Sequence, residues 1–281
     1  LVRRGLAPSR EQGRLAIDEG RVSVAGVTAT KAATQVDEAA AIEIRVEPES
    51  DYVSRGAYKL IGALDAFGAG GAAGAGALPG LSVDGALALD AGASTGGFTQ
   101  VLLERGAQRV IAADVGYGQL AWRLRSDERV NVLERTNVRH LDRAGHELPY
   151  SPNLIVADLS FISLTVVLAS LIAVAADRAD FVLMVKPQFE VGKERVGSGV
   201  VTSPRLRAEA VTTVADCARD LGLEICGVVA SPLPGPKGNV EYFLWMTKVA
   251  RDVGAASEDD AGMDEDALHA AILRAVEEGP Q

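Results

Sequence analysis

Four charged residues offer this sequence of 281 residues most of its chemistry. "SRGAYKL" contains Lys59, "VADLSF" contains Asp158, "MVKPQFE" contains Lys186 and "GNVEYF" contains Glu241. Two amines and two carboxylates can move a proton or stabilise a developing charge. Each also has a plain alternative. Lys59 falls on an amphipathic helix, where a lysine is usually part of a solvated face, and Glu241 could sit on an exposed strand. Asp158 and Lys186 are harder to set aside. Each ends an apolar strand-like run, at the carboxyl edge where open parallel sheets place their ligands.

A second candidate is "LDAGASTGGFT", residues 89–99, a buried strand running into a glycine turn. Such a turn lets backbone approach a ligand at a helix N-terminus. A phosphate loop of Walker type needs a Gly-Lys-Ser/Thr run, and this turn has no lysine. A nicotinamide-type loop wants Gly-x-Gly-x-x-Gly, but position 94 is serine. Asp114 lies 22 residues beyond Gly92, where a carboxylate can accept hydrogen bonds from a ribose diol. That feature serves dinucleotides and S-adenosylmethionine alike. Asp90 at the strand tip and the character of the last two strands favour S-adenosylmethionine over NAD. A purely structural glycine turn is the third alternative.

The elements that must position these residues follow from periodicity. Apolar runs occur at "ALALD", "RVIAADVG", "RVNVLE", "NLIVADLS" and "FVLMVKP", separated by helix-like segments. Continuous apolar strands alternating with helices predict a parallel sheet covered on both faces. "EICGVVAS" and "NVEYFLWMT", joined by "PLPGPKG", predict an antiparallel hairpin at the end of it. The fold class expected is therefore α/β, a Rossmann-like sheet with a terminal antiparallel hairpin. Ser203 and Pro204 mark the start of the last long helix of the sheet domain. Upstream, Ala57, Leu60, Ile61, Leu64 and Phe67 share one face of a helix beginning near Ser54. Residues 1–48 form a small α+β unit, with a helix from Ser9 to Glu19 and strands around "RVSVAG" and "AAIEIRVEP". The expected divisions are 1–48, a linker at 49–53, the sheet domain at 54–250 and an acidic tail with a short helix at 251–281. "GAGGAAGAGALPG", Gly68 to Gly80, is expected to be a flexible loop.

Composition narrows the class. Apolar residues make up 48% and charged residues 23%, an ordinary globular balance. The net charge of −10 by its sum disfavours a nucleic-acid partner, but its distribution says otherwise. Residues 251–281 alone carry −7, whereas residues 1–34 hold six basic groups against three acids. Cys217 and Cys226 are expected to be structural thiols in a reducing, cytoplasmic setting. His140, His146 and His269 have no ligand spacing, so no metal is expected. "LTVVLASLIAVAA" is too short to span a bilayer, and no membrane partner is expected. Nothing in the sequence demands a dimer, so a monomer is expected.

The set Lys59, Asp158, Lys186 and Glu241, together with "DAGASTGGFT", resembles the FtsJ-type ribose 2′-O-methyltransferases. "YVSRGAYKL", "ADVGYGQLAW", "ERTN", "DLSFISL", "VKPQFEVG" and "SPLPGPKGNVEYFLW" resemble more closely the TlyA family. These are ribosomal RNA cytidine 2′-O-methyltransferases also known as haemolysins. The similarity runs to about Trp245. Residues 1–36 resemble the small RNA-binding domain first seen in ribosomal protein S-four, here expected to lack the usual start of its first helix. "SDYV", Ser50 to Val53, departs from the arginine- and tryptophan-bearing linker of actinobacterial members.

The resemblance implies S-adenosylmethionine as cofactor and ribosomal RNA within ribosomal subunits as partner. It implies that Lys186 activates the ribose 2′-hydroxyl, that Lys59 and Glu241 tune and orient it, and that Asp158 positions it. A lysine acting as base requires burial and neighbouring cations to lower its pKa; a permanently charged Lys186 acting through electrostatics is the rival account. For the donor it implies the backbone of Gly92, Ser94, Thr95, Gly96, Gly97 and Phe98 near the methionine portion. Asp90 orients its amino group, Asp114 takes the ribose, Val115, Gly116 and Tyr117 flank the adenine, and Asn137 meets the adenine edge. Arg3, Arg4, Arg10, Arg14 and Lys31 would face RNA phosphates. Arg55 would contact RNA too, or cap a helix or form a salt bridge. The rivals from other classes are a membrane-active haemolysin and an RNA-binding assembly module without catalysis.

Overall fold

The computed structural model describes residues 1–7, 13–14, 16–17, 20–37, 39–44, 52–69, 71, 80–141, 147–197, 199–249 and 262–280. The chain divides into two compact units, Leu1–Asp51 and Tyr52–Gln281. In the first, strands β1 (Val22–Val24), β2 (Val27–Thr28) and β3 (Ile42–Ile44) form an antiparallel sheet in the order β2-β1-β3. Ala25 and Gly26, both at positive φ, make the two-residue turn between β1 and β2. That pairing of left-handed residues matches the twist of a tight hairpin. Gly13, Arg14, Ala16 and Ile17 are helical, and Ala7, Ala16 and Val22 are buried.

The second unit is a doubly wound α/β fold. Its elements run α1 (Gly56–Phe67), β4 (Leu87–Ala91), α2 (Gly97–Glu104), β5 (Arg109–Ala113), α3 (Trp122–Arg125) and β6 (Val130–Leu133). Then follow β7 (Leu154–Ala157), α4 (Leu164–Val174), β8 (Ala179–Val185), α5 (Pro187–Glu190) and α6 (Lys193–Val196). The last are α7 (Pro204–Asp220), β9 (Glu224–Ala230), β10 (Tyr242–Lys248) and α8 (Glu265–Glu278). The seven strands stand in the order β6-β5-β4-β7-β8-β10-β9. The first five are parallel, and β10 is antiparallel to both its neighbours. The hairpin thus folds back so that β10 is internal and β9 forms the edge.

The strands are apolar because both faces are covered. On one side α1, α2 and α3 pack Leu60, Phe67, Leu102 and Leu124 against Val110, Val156 and Phe243. On the other, α4, α7 and α8 pack Leu168, Val214 and Ile272 against Ile111, Ile155 and Leu244. Ser203 caps α7 by accepting from the Leu206 amide, with Pro204 at the first helical position. Asp264 caps α8, whose Leu268, Ile272 and Val276 are buried in the same core as α7 and β9. The C-terminal helix is therefore a layer of the sheet domain and no appendage to it; the acidic run at 251–261 lies outside the described residues. So do most of the Gly/Ala-rich segment and linker residues 49–51.

Candidate active site

The sheet's topology decides what meets at its carboxyl edge. Asp158 follows β7 and Lys186 follows β8, two parallel neighbours in which Ala157 pairs with Leu183. Glu241 precedes β10, whose Tyr242 pairs with Val185, the residue before Lys186. Sequence-distant charges are thereby delivered to one place. Lys186 Nζ lies 2.5 Å from Asp158 Oδ1 and 3.4 Å from Ser160 Oγ. Lys59, projecting from α1, donates to Glu241 Oε2 at 2.6 Å.

Three of the four side chains are withdrawn from water, and Asp158 stays partly exposed at the mouth of the site. Glu241 is 0% exposed, Lys186 6% and Lys59 9%. The readings of Lys59 as a solvated face and of Glu241 as an exposed strand residue fail on that count. The buried carboxylate is enclosed by the "PLPGPKG" loop: a Cβ on Gly235 would collide with Glu241 Oε1, an atom with no hydrogen-bond partner among the described residues. Asn239 ties this loop down, accepting from the Val201 amide at 3.0 Å and donating to the Gly199 carbonyl at 2.9 Å.

Electrostatics fixes the state of Lys186. Burial acts to lower its pKa, but the facing carboxylates of Asp158 and Glu241 outweigh burial and hold it above the ordinary lysine range. No neighbouring cation is among the groups that shift it, and the nearby Lys59 is paired with Glu241. Lys186 therefore rests as an ammonium, contrary to the lowered pKa that a lysine base requires.

The glycine turn adjoins this site. Gly92 sits at φ +89°, and a Cβ there would come within 2.6 Å of the Asp158 carbonyl. That approach and that φ both demand glycine. Ser94 is also left-handed, at φ +47°. Gly96 and Gly97 meet protein: a Cβ on Gly96 would strike Leu124 and one on Gly97 would strike Ser54. These two glycines serve close packing as well as any ligand approach. The Phe98 ring is buried in the core, tilted against Phe243 at 6.1 Å, so only its backbone faces the turn. Thr95, half-buried, accepts from the Ala121 amide.

The carboxylates around the turn fit a cationic, ribose-bearing ligand. Asp114 Oδ2 accepts from the Ser94 amide at 2.9 Å and Oδ1 from the Gly116 amide at 2.7 Å, which fixes its orientation. Its remaining lone pairs are available to hydroxyl donors. Asp90 is fully buried and accepts 2.6 Å from Thr99 Oγ1, while its Oδ1 has no partner among the described residues. Burial, reinforced by Asp158 and Asp114 and opposed by Thr99, pushes its carboxyl up to about 7. Val115 and Tyr117 are exposed beside Asp114, and Arg135 lies over the Tyr117 ring. Asn137 spends its side-chain oxygen on the Arg139 amide, capping a short turn.

Local sequence did not single out Ser160, Thr99 or Asn239, although all three lie inside or beside the motifs. Nor did it single out Phe161, 89% exposed at φ +66° with its ring 5.4 Å from Phe189. A polar or aromatic residue shows its partner only after folding. Arg55 is exposed and makes no side-chain capping bond, which removes its capping alternative. Within the first unit Arg4 donates to the carbonyls of Ala40 and Asp37, so it braces that unit. Arg3, Arg14 and Lys31 are exposed, and Arg10 lies outside the described residues. Among the described residues there is no cluster of His, Cys, Asp and Glu able to hold a metal, and no helix is long and apolar enough to cross a membrane.

Residues 52–248 match the FtsJ-like methyltransferase family and residues 1–42 match the S4 domain. The chain is 51% identical over 281 residues, 100% of its length and 96% of the relative's, to the 16S/23S rRNA (cytidine-2′-O)-methyltransferase TlyA of Mycobacterium tuberculosis. It is 35% identical over 243 residues, 85% of the chain and 94% of the relative, to Hemolysin A of Brachyspira hyodysenteriae. A solved structure of a hemolysin-named protein from Streptococcus thermophilus, 32% identical, superposes with a TM-score of 0.68 over 96% of this chain and 91% of that one. The paired lysines and carboxylates at the carboxyl edge of a seven-stranded sheet, the S4 domain ahead of it and this likeness over the full length agree: the chain belongs to the TlyA family of FtsJ-like methyltransferases.

Proposed function

We propose that this chain transfers a methyl group from S-adenosylmethionine to the 2′-hydroxyl of a cytidine in ribosomal RNA. The observation that carries the reading is the pairing of buried Lys186 with partly exposed Asp158, adjoining the buried Lys59–Glu241 pair at the carboxyl edge of the sheet. The substrate follows the Mycobacterium tuberculosis relative, and the S4 domain is the natural RNA-gripping unit.

Asp114 would hold the donor's ribose, and the backbone at Gly92–Gly97, with Asp90, its methionine end. When bound, S-adenosylmethionine supplies an electrophilic methyl group. The rest falls to the protein's own groups. The Lys186 ammonium donates a hydrogen bond to the ribose oxygen and stabilises negative charge as it develops there. The hydroxyl proton leaves by way of the Asp158 carboxylate, which already shares the Lys186 charge. Glu241, paired with Lys59, also faces Lys186 and with Asp158 helps to hold it charged and in place. Activation of the hydroxyl is thus electrostatic in kind. Phe161, exposed beside Ser160, offers an aromatic face on which a nucleobase can stack. Arg3, Arg14, Lys31 and Arg55 supply phosphate contacts.

The experiment uses S-adenosylmethionine with a labelled methyl group, unmodified bacterial ribosomal subunits and alkaline digestion. A 2′-O-methyl group blocks attack on the adjacent phosphodiester, so label in alkali-resistant dinucleotides is expected. Label in mononucleotides would mean base methylation and would remove the roles given to the four charged residues.

A further inference from the structure

Asp90 ends β4 with no surface exposed, one carboxylate oxygen bonded to Thr99 and the other without a hydrogen-bond partner among the described residues. The charged groups that bear on it are carboxylates: Asp158 beyond β7 and Asp114 beyond β5. Lys186, the cation beyond β8, is committed to Asp158. A carboxyl group so placed keeps its proton until a cation arrives to compensate the charge. Burial first, then the two carboxylates, set its titration at about 7 against the pull of Thr99.

S-adenosylmethionine is positively charged at both its amino group and its sulfur, while the demethylated product has a neutral thioether. Resting on the donor assignment above, we propose that Asp90 is a charge-matching residue of the donor site, releasing its proton to solvent when the sulfonium donor binds and recovering one after the sulfur becomes neutral. In the binding step only the Asp90 O–H bond breaks, and the proton passes to buffer. Asp90 thereby sets a preference for the charged donor over the neutral product and helps to discharge the product.

The test is calorimetric titration of the full chain with S-adenosylmethionine at pH 7, in two buffers of different ionisation enthalpy. Release of about half a proton per donor bound is expected, because a carboxyl titrating near that pH has about that much to give. S-adenosylhomocysteine is expected to release less. In Asp90→Asn the donor is expected to bind more weakly, with a heat of binding that no longer depends on the buffer. In the wild-type chain the infrared C=O stretch of a buried protonated carboxyl should disappear on adding S-adenosylmethionine, a readout that needs no variant to fold. Binding with buffer-independent heat, or buffer dependence that survives in Asp90→Asn, overturns the role of Asp90 alone. No heat of binding at all overturns the donor assignment with it.

Discussion

Lys186 Nζ and Asp158 Oδ1 stand 2.5 Å apart at the carboxyl ends of neighbouring parallel strands, in a setting where Glu241 also faces the lysine. The lysine is nearly buried, yet two carboxylates keep it charged. This relationship bears on how the enzyme works, because a charged lysine stabilises an oxyanion but cannot take its proton.

Removing that charge should be costly. Lys186→Ala is expected to lower the single-turnover rate of methyl transfer about 100- to 1,000-fold, the range for loss of one preorganised oxyanion donor. Lys186→Arg, which keeps the charge, should retain more activity than the alanine variant. Because the Lys186 pKa is raised, the wild-type rate should show no ascending limb from lysine deprotonation between about pH 7 and 9. Such a limb, abolished together with activity in Lys186→Arg, would restore the lysine as base.

Glu241→Gln leaves the Lys59 ammonium buried opposite a neutral amide. Breaking a buried pair from one side typically costs about 3–5 kcal/mol. Urea denaturation should show a loss of that order, with part of it recovered in the Lys59→Met, Glu241→Gln double variant. A double-variant loss equal to the sum of the Lys59→Met and Glu241→Gln losses would mean that the pair carries no coupling.

Gly92→Ala tests the contact between the turn and the Asp158 backbone. At φ +89°, with 2.6 Å to the Asp158 carbonyl, the methyl group should force the two loops apart at a cost of about 1–3 kcal/mol. Stability and methyl transfer should fall together, since Asp158 moves with its backbone. Gly118→Ala, also at positive φ but with open space around it, should cost stability without the loss of activity.

Asp90 should imprint a pH dependence on stability. Its carboxyl titrates at about 7 in the folded chain, above the ordinary value of about 3.9. Between these values the folded state binds more protons than the unfolded one. The contribution is therefore complete below about pH 4 and is lost as pH rises through about 7, a total on the order of 4 kcal/mol. Asp90→Asn should gain on the wild type as pH goes from 5 to 8. Urea midpoints at the two pH values measure this, and parallel curves would show that Asp90 is ionised throughout.

Much of the architecture could be read from local pattern. The runs ending at Asp90, Asp158 and Lys186 are strands because uninterrupted apolar residues can be satisfied in a sheet covered on both faces. Ser203 and Pro204 start α7 through a side-chain cap and a fixed φ, both properties of adjacent residues. The four charged residues were also legible, as charges that an apolar strand or helix would not otherwise carry. What each does in the fold was less so. Gly96 and Gly97 have the composition of a ligand-binding turn, but packing against Leu124 and Ser54 already requires them. Phe98 belongs to the core, and Arg4 spends its guanidinium on backbone carbonyls of its own unit.

Only the tertiary structure joined Lys59 to Glu241 across 182 residues and gave Lys186 its charge. Periodicity, caps and turns arise among residues a few positions apart, so the linear order displays them. The state of a buried ammonium depends on a balance between desolvation and carboxylates only ångströms away. That balance is set when β7, β8 and β10 come together side by side, and no spacing in the chain encodes its sign.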